Sequence, residues 1–379
     1  MADTYDVIVV GLGAMGSATL HQLAHRGFKV LGIEQFTPGH ANGSSHGKSR
    51  IIREAYFEDP RYVPLVQRAY ECWHALEEES GVTVFRQTGG LMLGAPESDV
   101  VSGALLSARQ HGLTHEVITP DEVRRRYPAF RPRASDVGVV EPRAGMLAPE
   151  VAISAFVDVA KRAGAHVRSD EAMLSWRAVG AGVEVTTTRA AYSADKLVLT
   201  VGAWSGKVLA ELGVPFTSQR NVLYWFEPAA NPGFFTPEKF PIFLQDLDGG
   251  LTSYGFPDTG DGVKVALHHY GANVDPDTLH RTVSHEEIAF MRALLARYMP
   301  DVNGPLRAAT ACMYTNVPDN HFVIDWHPAH RNVVVASPCS GHGFKFASAL
   351  GEVLASMVVG ATVSFDTSLF SLDRFRVRR

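Results

Sequence analysis

Residues Tyr5–Gly16 read Y-D-V-I-V-V-G-L-G-A-M-G, an apolar run that leads directly into the pattern G-x-G-x-x-G. A helical pattern follows over Ser17–Ala24, and a second apolar segment, Lys29–Ile33, ends at the acidic residue Glu34. A strand, a glycine-rich turn, a helix and a second strand that ends in an acid are typical of a dinucleotide-binding βαβ unit. The glycine pattern alone is weak evidence, but these flanking elements make a chance glycine-rich turn the weaker alternative.

Each position of the pattern has a physical role. Gly11 permits the tight turn out of the first strand, and Gly13 lets the backbone approach a pyrophosphate. Gly16 allows the helix and the strand to pack closely. Glu34 is placed to accept hydrogen bonds from ribose hydroxyls, which favours NAD or FAD over NADP. The motif alone does not distinguish an NAD-binding site from an FAD-binding site.

The composition is that of an ordinary globular protein. The chain has 379 residues, enough for two domains or for one domain with insertions. Its net charge of −5 gives no reason to expect nucleic acid or an anionic membrane as a partner. Three cysteines, Cys72, Cys312 and Cys339, are too few for a disulfide framework and favour a reducing compartment. Because Asp3 and Asp6 precede the first apolar run, we expect no signal peptide and a cytoplasmic protein.

A long loop of small and polar residues, Pro38–Arg50, follows the βαβ unit. Long loops inside compact domains are often functional. The loop leads into Arg50-Ile51-Ile52-Arg53, and both arginines would point into one site if this segment formed a helical turn. Two solvated surface arginines are the alternative, because arginine side chains are mostly exposed in proteins.

Short strand patterns replace the helical pattern in two parts of the chain. Residues 85–141 and 217–310 carry β-patterned stretches separated by Gly, Pro and Asp turns, and we predict that they form a second domain. Residues 1–84, 142–216 and 311–379 are predicted to form the nucleotide-binding domain.

Two lysines stand in unusual places. Lys264 lies within the apolar strand pattern Val263–Leu267, where a lysine is rarely tolerated. An edge-strand lysine that faces solvent is the alternative. Near the C-terminus, the apolar strand Asn332–Ala336 leads to a glycine-rich turn and a helix, with Lys345 at the mouth of the turn. This arrangement predicts a site for an anion or a ring.

The chain resembles the monomeric sarcosine oxidases and the related N-methyltryptophan oxidases over essentially its full length. The segments that carry the resemblance are Asn42–Ser44 with His46–Gly47, Arg50–Arg53, Tyr254–Pro257, Ala311–Thr315 and Ser340–Phe346. The resemblance implies that FAD is the cofactor. It also implies a mixed α/β fold, in which a discontinuous Rossmann-like FAD-binding domain of the glutathione-reductase type carries an inserted antiparallel-sheet substrate domain.

The resemblance assigns roles to single residues. It implies that Cys312 is linked covalently to the flavin, by attack of its thiolate on the electrophilic 8α-methyl group. Arg53 and Lys345 are implied to hold the substrate carboxylate, for which a planar fork and a point charge are well suited. Lys264 is implied to promote the reaction with O2 by stabilising developing negative charge, with Arg50 on the other side of the ring.

Further residues follow from the same resemblance. Those implied to act in catalysis are Lys264, Arg50, His268 and Tyr254, and those implied to line the substrate pocket are Tyr254, His268, Tyr314 and Gly341, with Tyr56 and Tyr62 at its rim. Those implied to contact the cofactor are Gly11, Gly13, Gly16, Glu34, Ser44, His46, Ser49, Arg50, Cys312, Gly343 and Lys345. No metal site is predicted. Three positions depart from the family pattern, since Ser45 and Glu54 replace histidines and Lys48 replaces an acid, and we expect altered electrostatics near the flavin.

The implied activity is oxidation of a secondary amino acid, most closely sarcosine, by O2 and water to glycine, formaldehyde and hydrogen peroxide. N-methyltryptophan or another N-alkyl or cyclic amino acid is the alternative substrate. An NAD-dependent dehydrogenase and a non-catalytic nucleotide-binding subunit are alternatives of other classes. A non-catalytic subunit would not explain the presence of Lys264, Arg53 and Lys345. A monomer is expected, with the amino acid and O2 as its partners and with neither nucleic acid nor membrane.

Overall fold

The computed structural model describes residues 4–375, which contain two eight-stranded sheets, one three-stranded sheet and helices packed around them. The strands are β1 (Thr4–Val10), β2 (Val30–Ile33), β3 (Arg50–Ile52), β4 (Phe85–Gln87), β5 (Gly90–Gly94), β6 (Glu116–Ile118), β7 (Val137–Glu141), β8 (Gly145–Leu147), β9 (His166–Arg168), β10 (Met173–Val179), β11 (Gly182–Thr187), β12 (Ala191–Leu199), β13 (Thr217–Phe226), β14 (Ile242–Asp246), β15 (Thr252–Phe256), β16 (Val263–His268), β17 (Leu306–Asn316), β18 (Val323–His327) and β19 (His330–Ser337). The helices are α1 (Ala14–His25), α2 (Val63–Ser80), α3 (Asp99–His111), α4 (Pro120–Arg126), α5 (Pro149–Arg162), α6 (Ser205–Val208), α7 (His285–Tyr298) and α8 (Ala347–Val359).

The first sheet contains the predicted βαβ unit. Its strand order is β10-β11-β12-β1-β2-β9, and β19 pairs with both β12 and β18. The pairs β9–β2, β2–β1, β1–β12 and β12–β19 are parallel, as expected where helices connect successive strands. Helices α1, α5 and α8 pack together in one apolar core with residues of this sheet. A Cβ added at Gly351 of α8 would lie 2.7 Å from Ala18 of α1, so the absence of a side chain lets these two helices cross closely.

The second sheet has the order β17-β13-β16-β15-β14-β5-β7-β6 and is antiparallel except for the pair β14–β5. Both predicted insertions contribute strands to it. One of its faces packs on α7, where Met291, Leu295 and Tyr298 join an apolar core with residues of β13 and β16. Strand β17 crosses the predicted boundary between residues 310 and 311 and pairs with β13, so residues 311–316 belong to this sheet. The domain boundaries themselves stay a prediction.

Two local features decide alternatives that the sequence left open. Strand β16 lies between β13 and β15, so Lys264 is on an interior strand and is not a solvated edge-strand lysine. The expectation of a helical turn for the segment that begins at Arg50 is wrong, because Arg50–Ile52 forms strand β3, which pairs with β8. An extended segment anchored by this pairing still directs Arg50 and Arg53 inward.

No helix within residues 4–375 has both the length and the apolar character needed to cross a bilayer. None of the three cysteines forms a disulfide.

Candidate active site

The glycine pattern forms a tight junction between β1 and α1. Gly11 has a φ of +87°, in the left-handed region that favours glycine. A Cβ added at Gly16 would lie 1.8 Å from the carbonyl oxygen of Gly11, so only glycine lets the helix start this close to the turn. Gly13 differs, because the nearest atom to an added Cβ is the Ser45 Oγ at 3.8 Å. The open side of Gly13 faces a cleft, where a ligand can approach the backbone.

Glu34 lies at the end of β2 and is buried. Its Oε2 accepts a hydrogen bond from the Leu12 N–H at 2.7 Å, and its Oε1 accepts one from the Phe36 N–H at 3.0 Å. The carboxylate therefore connects the glycine turn to the second strand. It also lines the cleft, where an acid can meet ribose hydroxyls.

The cleft runs from the glycine turn to the start of α8 and gathers most of the predicted site residues. Those on its wall are Gly11, Gly13, Glu34, Ser44, Arg50, Arg53, Tyr254, His268, Cys312, Tyr314, Gly341, Gly343 and Lys345. Gly16, His46, Ser49 and Lys264 are not on the wall. His46, Ser49 and Lys264 are instead buried within the structure.

Cys312 lies on β17 beside Arg50. The Cys312 Sγ is 3.6 Å from the Arg50 Nη2 and 3.6 Å from the Ser44 carbonyl oxygen. Arg50 is itself held by two carbonyl oxygens, that of Ser44 at 2.7 Å and that of Ser49 at 2.8 Å. The sulfur therefore lies on the cleft wall, next to a fixed cation. Cysteine reacts as the thiolate, and a neighbouring cation favours that form.

One buried polar atom on the cleft wall fits a bound FAD. Within residues 4–375 the Ser44 Oγ has no hydrogen-bond partner, and Ser44 lines the cleft. Leaving a buried polar atom unpaired costs about 1–3 kcal/mol. A dinucleotide in the cleft would supply that partner, and the open side of Gly13 would leave room for its pyrophosphate. The His46 Nε2 is also unpaired, but His46 lies behind the wall, and burial followed by the charge of Arg50 lowers its pKa to about 3, so its ring is neutral.

Lys264 projects inward from β16 and is 2% exposed. Its ammonium donates hydrogen bonds to the Gly47 carbonyl at 2.7 Å, the Ser49 carbonyl at 2.9 Å and the Ser49 Oγ at 3.1 Å. It also lies 4.6 Å from the centre of the Phe256 ring. Burial and the charge of Arg50 lower its pKa well below the ordinary value for lysine. Carbonyl oxygens can only accept hydrogen bonds, so the contacts with Gly47 and Ser49 favour the ammonium form against the effect of burial, and they hold it behind the loop that forms one wall of the cleft.

Arg53 and Lys345 lie together in the cleft. We call these two cations the carboxylate pair, because they are the residues expected to bind the substrate carboxylate. The Arg53 Nη2 is 2.6 Å from the Glu58 Oε2, and the Arg53 Nη1 donates to the Ala55 carbonyl at 2.7 Å. Burial and the charge of Arg53 lower the pKa of Lys345 to about 7, against the opposing effect of Glu58. Burial opposes ionisation of Glu58, but Arg53 and neighbouring cations outweigh it and lower the pKa to about 2.

Glu58 is a site residue that the sequence analysis missed. The stretch Glu58-Asp59-Pro60 has the pattern of an exposed acidic helix start, so no local signal marks Glu58 as buried. In the structure it is the anion that neutralises Arg53. A substrate carboxylate would meet a guanidinium that already has a partner.

His342 is the second missed residue, and it orients Lys345. The His342 Nε2 lies 2.9 Å from the Asn320 carbonyl oxygen, which can only accept, so this nitrogen carries the proton. The Nδ1 is then the acceptor for the Tyr56 hydroxyl at 2.5 Å. The lone pairs of that hydroxyl are left to accept from the Lys345 Nζ, at 3.5 Å. The Lys345 Nζ also donates to the His342 carbonyl oxygen at 2.7 Å, and these hydrogen bonds together fix the direction of the ammonium group.

The placement of Tyr56 and Tyr62 at the rim of the pocket is wrong. Both side chains are fully buried, because they pack against each other and against Phe346 behind the cleft wall.

Tyr254, Tyr314 and His268 form a polar cluster that lines the same cleft as the carboxylate pair. The Tyr314 hydroxyl is 3.4 Å from the Tyr254 hydroxyl and 3.4 Å from the His268 Nδ1. Burial lowers the pKa of His268 well below 6.5 and raises the pKa of both tyrosines, so all three groups are neutral near pH 7. Gly341 has a φ of +77°, and a Cβ there would lie 2.6 Å from the Tyr314 ring. The cluster thus offers neutral donors and acceptors around a space that glycine keeps open.

The three departures from the family pattern take different positions. Ser45 lines the cleft. Lys48 is exposed and pairs with Asp261 at 2.6 Å, so its charge is directed to solvent. Glu54 is buried and lies 3.1 Å from the Arg143 guanidinium. Of the three, Ser45 alone is on the cleft wall.

Comparison with known proteins identifies the family. Residues 6–357 match the family described as FAD dependent oxidoreductase (DAO). The chain is 45% identical over 378 residues to the monomeric sarcosine oxidase of Streptomyces avermitilis, covering 99% of this chain and 98% of that protein. It is 35% identical over 374 residues to the N-methyl-L-tryptophan oxidase of Yersinia pestis, covering 98% of this chain and 100% of that protein.

Among solved structures, NikD, described as an unusual amino acid oxidase essential for nikkomycin biosynthesis, is similar with a TM-score of 0.86. The identity is 24%, and the match covers 97% of each chain, so the likeness concerns the fold. The predicted resemblance, the mixed α/β fold and the FAD cofactor are confirmed. The alternatives of an NAD-dependent dehydrogenase and of a non-catalytic subunit are set aside. The chain belongs to the FAD dependent oxidoreductase family and is an FAD-dependent amine oxidase.

Proposed function

We propose that the protein oxidises the N-methyl carbon of sarcosine. The observation that carries this proposal is the placement of the carboxylate pair and the neutral cluster of Tyr254, Tyr314 and His268 on one cleft. A small N-methyl amino acid has one charged end and one amine end, which match these two groups. The relative named monomeric sarcosine oxidase, at 45% identity, supports the same choice. N-methyl-L-tryptophan is the second candidate, because an oxidase of that name is 35% identical.

The carboxylate pair binds the acid end of the substrate. The Arg53 guanidinium can give two parallel hydrogen bonds to a carboxylate, and Lys345 adds a point charge. Since Glu58 occupies Arg53 in the structure, a substrate carboxylate has to share or displace that pairing. We therefore expect selectivity for carboxylic acids. A ligand without a carboxylate leaves the Arg53–Glu58 pair intact and obtains no binding free energy from Arg53.

The neutral cluster receives the amine end. The unprotonated His268 ring can accept a hydrogen bond from the substrate amine, and the Tyr254 and Tyr314 hydroxyls limit how the amine can lie. FAD, when bound, accepts two electrons and a hydrogen from the substrate carbon and passes the electrons to O2.

Steady-state assays of hydrogen peroxide production test the choice of substrate. We expect kcat/KM for sarcosine to exceed that for N-methyl-L-tryptophan, and N-acetylglycine, which has no basic amine, to give no peroxide. A higher kcat/KM for N-methyl-L-tryptophan would select the second candidate. No peroxide from any N-alkyl amino acid would overturn the proposal.

We also propose that the enzyme is a cytoplasmic monomer. Its relatives are named monomeric sarcosine oxidases, and its three cysteines are free, as a reducing compartment favours. Light scattering on the eluate of a sizing column should give the mass of one chain, 41.2 kDa. Twice that mass would contradict the monomer.

Replacement of either member of the carboxylate pair should weaken binding of methoxyacetate, a sarcosine-like acid without an amine. Loss of one charged partner in a buried site commonly costs about 2 kcal/mol or more, so we expect Lys345→Met and Arg53→Met to raise its Kd at least about tenfold. FAD content should be unchanged. The control is Lys48→Met, which removes an exposed lysine paired with Asp261 and should leave the Kd unaltered. Wild-type affinity in both cleft variants would refute the assignment.

Binding of methoxyacetate should also depend on pH through Lys345. Its pKa is about 7, so the ammonium is charged below that pH and loses its charge above it. The acid should therefore bind well near pH 6 and progressively more weakly above pH 7, by up to about tenfold per pH unit. His342, with a pKa of about 4, and Glu58, with a pKa of about 2, do not titrate in this range. The same dependence in Lys345→Met would assign the titration to another group.

A further inference from the structure

Two histidines and a glutamate meet on the side of the molecule formed by α1 and α2. His21 and His25 lie one turn apart on one face of α1, and Glu79 lies in the last turn of α2. None of the three lines the cleft. We call these three residues the His–Glu cluster. Because Glu79 is 58 residues from His21 in sequence, no local sequence motif predicts the cluster.

The side chains of the His–Glu cluster converge through their ligand atoms. The His21 Nε2 lies 2.9 Å from the Glu79 Oε2, and the His25 Nε2 lies 2.7 Å from the Glu79 Oε1. One ligand atom from each residue lies within 4.8 Å of the other two. Small adjustments of the three side chains would place a metal ion between these ligand atoms at bond distances of about 2.0–2.2 Å.

Packing holds the His21 ring in place. It is 7% exposed and lies against Phe156 with ring centres 5.3 Å apart, while the His25 ring is 4.5 Å away. His25 and Glu79 are partly exposed, so an ion can enter from solvent.

We propose that the His–Glu cluster is a Zn²⁺ site that connects α1 to α2. Two imidazole nitrogens and one carboxylate oxygen are a common protein ligand set for zinc, with water in the remaining position. Without the ion, each Nε2 donates its proton to Glu79. With the ion bound, each neutral ring holds that proton on Nδ1, so the number of bound protons does not change.

The surroundings of the site predict moderate affinity. The His21 Nδ1 is buried and has no hydrogen-bond partner among residues 4–375. Metal-bound histidines usually donate from the second nitrogen, and loss of such a partner weakens metal affinity about 10–100-fold. We therefore expect weaker binding than at a closed structural site with four protein ligands.

Isothermal titration of the EDTA-treated, tag-free holoenzyme with ZnCl2 tests the proposal. We expect one Zn²⁺ per chain and an increase in the melting temperature. His25→Ala and Glu79→Gln should each weaken binding at least tenfold while leaving the metal-free melting temperature nearly unchanged, since both positions are partly exposed. The matched control is His74→Ala, because His74 forms a comparable pair with Glu77 on α2 but has no third ligand.

The site is independent of the proposed function. Zinc removal should leave FAD content and peroxide production unchanged, because the cluster does not touch the cleft. Absence of zinc binding, or binding that both cluster variants leave intact, would overturn the proposal. Equal loss of affinity in His74→Ala would also overturn it.

Discussion

Replacement of Lys264 by methionine should slow the reaction of the reduced enzyme with O2 by about 10²–10³-fold, the range measured for loss of one preorganised group that stabilises a developing anion. The lysine is fixed by three hydrogen bonds, to Gly47 and Ser49. A buried cation acts strongly on nearby charge because little water screens it. Negative charge develops on O2 in this half-reaction, whereas oxidation of the amine creates no comparable anion, so substrate oxidation should change less.

Stopped-flow measurement of the two half-reactions decides between a role in oxygen reactivity and a role in structure. Lys264→Gln keeps a hydrogen-bond donor to the loop and removes the charge. If the charge is what matters, this variant should be as slow as Lys264→Met. Lys345→Met is the control, because it removes another buried lysine, and it should react normally with O2 after reduction. Equal slowing of both half-reactions in Lys264→Met, or normal reaction with O2, would contradict the assignment.

Replacement of Cys312 by serine should abolish covalent attachment of FAD. The thiol lies on the cleft wall, 3.6 Å from the Arg50 guanidinium. Acid precipitation should leave yellow flavin in the pellet of the wild-type enzyme and release all of it from Cys312→Ser. Mass spectrometry should find the FAD adduct on the peptide that contains Cys312.

Cys339 supplies an internal control for this experiment. It also lines the cleft, but burial raises the pKa of its thiol, so its thiolate is disfavoured. Cys339→Ser should retain all of its flavin after precipitation. A free Cys312 thiol in fully active enzyme, or an adduct on Cys339, would contradict the linkage.

The sequence predicted best those features whose signal is local. The βαβ unit was recognised because a strand, three glycines, a helix and an acid lie within about thirty residues and each has its own pattern. Lys264 was conspicuous because a charge interrupts an apolar strand, and the interior position of β16 explains why that charge is held by carbonyl oxygens. The confirmed FAD cofactor needed the resemblance, since the glycine motif alone left NAD open.

Features created by contact between distant segments were not predictable in this way. The Lys345 ammonium donates to the His342 carbonyl three residues earlier, which is a local contact. It also meets the Tyr56 hydroxyl, which bonds to the His342 ring from 286 residues earlier in the chain, so no spacing reveals this second contact. Glu58 has the sequence signature of a surface acid and becomes buried because Arg53 needs a partner. The helical turn expected after the polar loop was wrong because pairing with β8, nearly one hundred residues later, extends Arg50–Ile52 into a strand.

The central claim is that this chain oxidises sarcosine by using its FAD, and anaerobic mixing of the two tests it most directly. Sarcosine should bleach the oxidised flavin spectrum in a single turnover without O2, and subsequent addition of O2 should restore the spectrum and release one hydrogen peroxide per flavin. A flavin that stays oxidised with sarcosine, in enzyme that is fully loaded with FAD, would contradict the account.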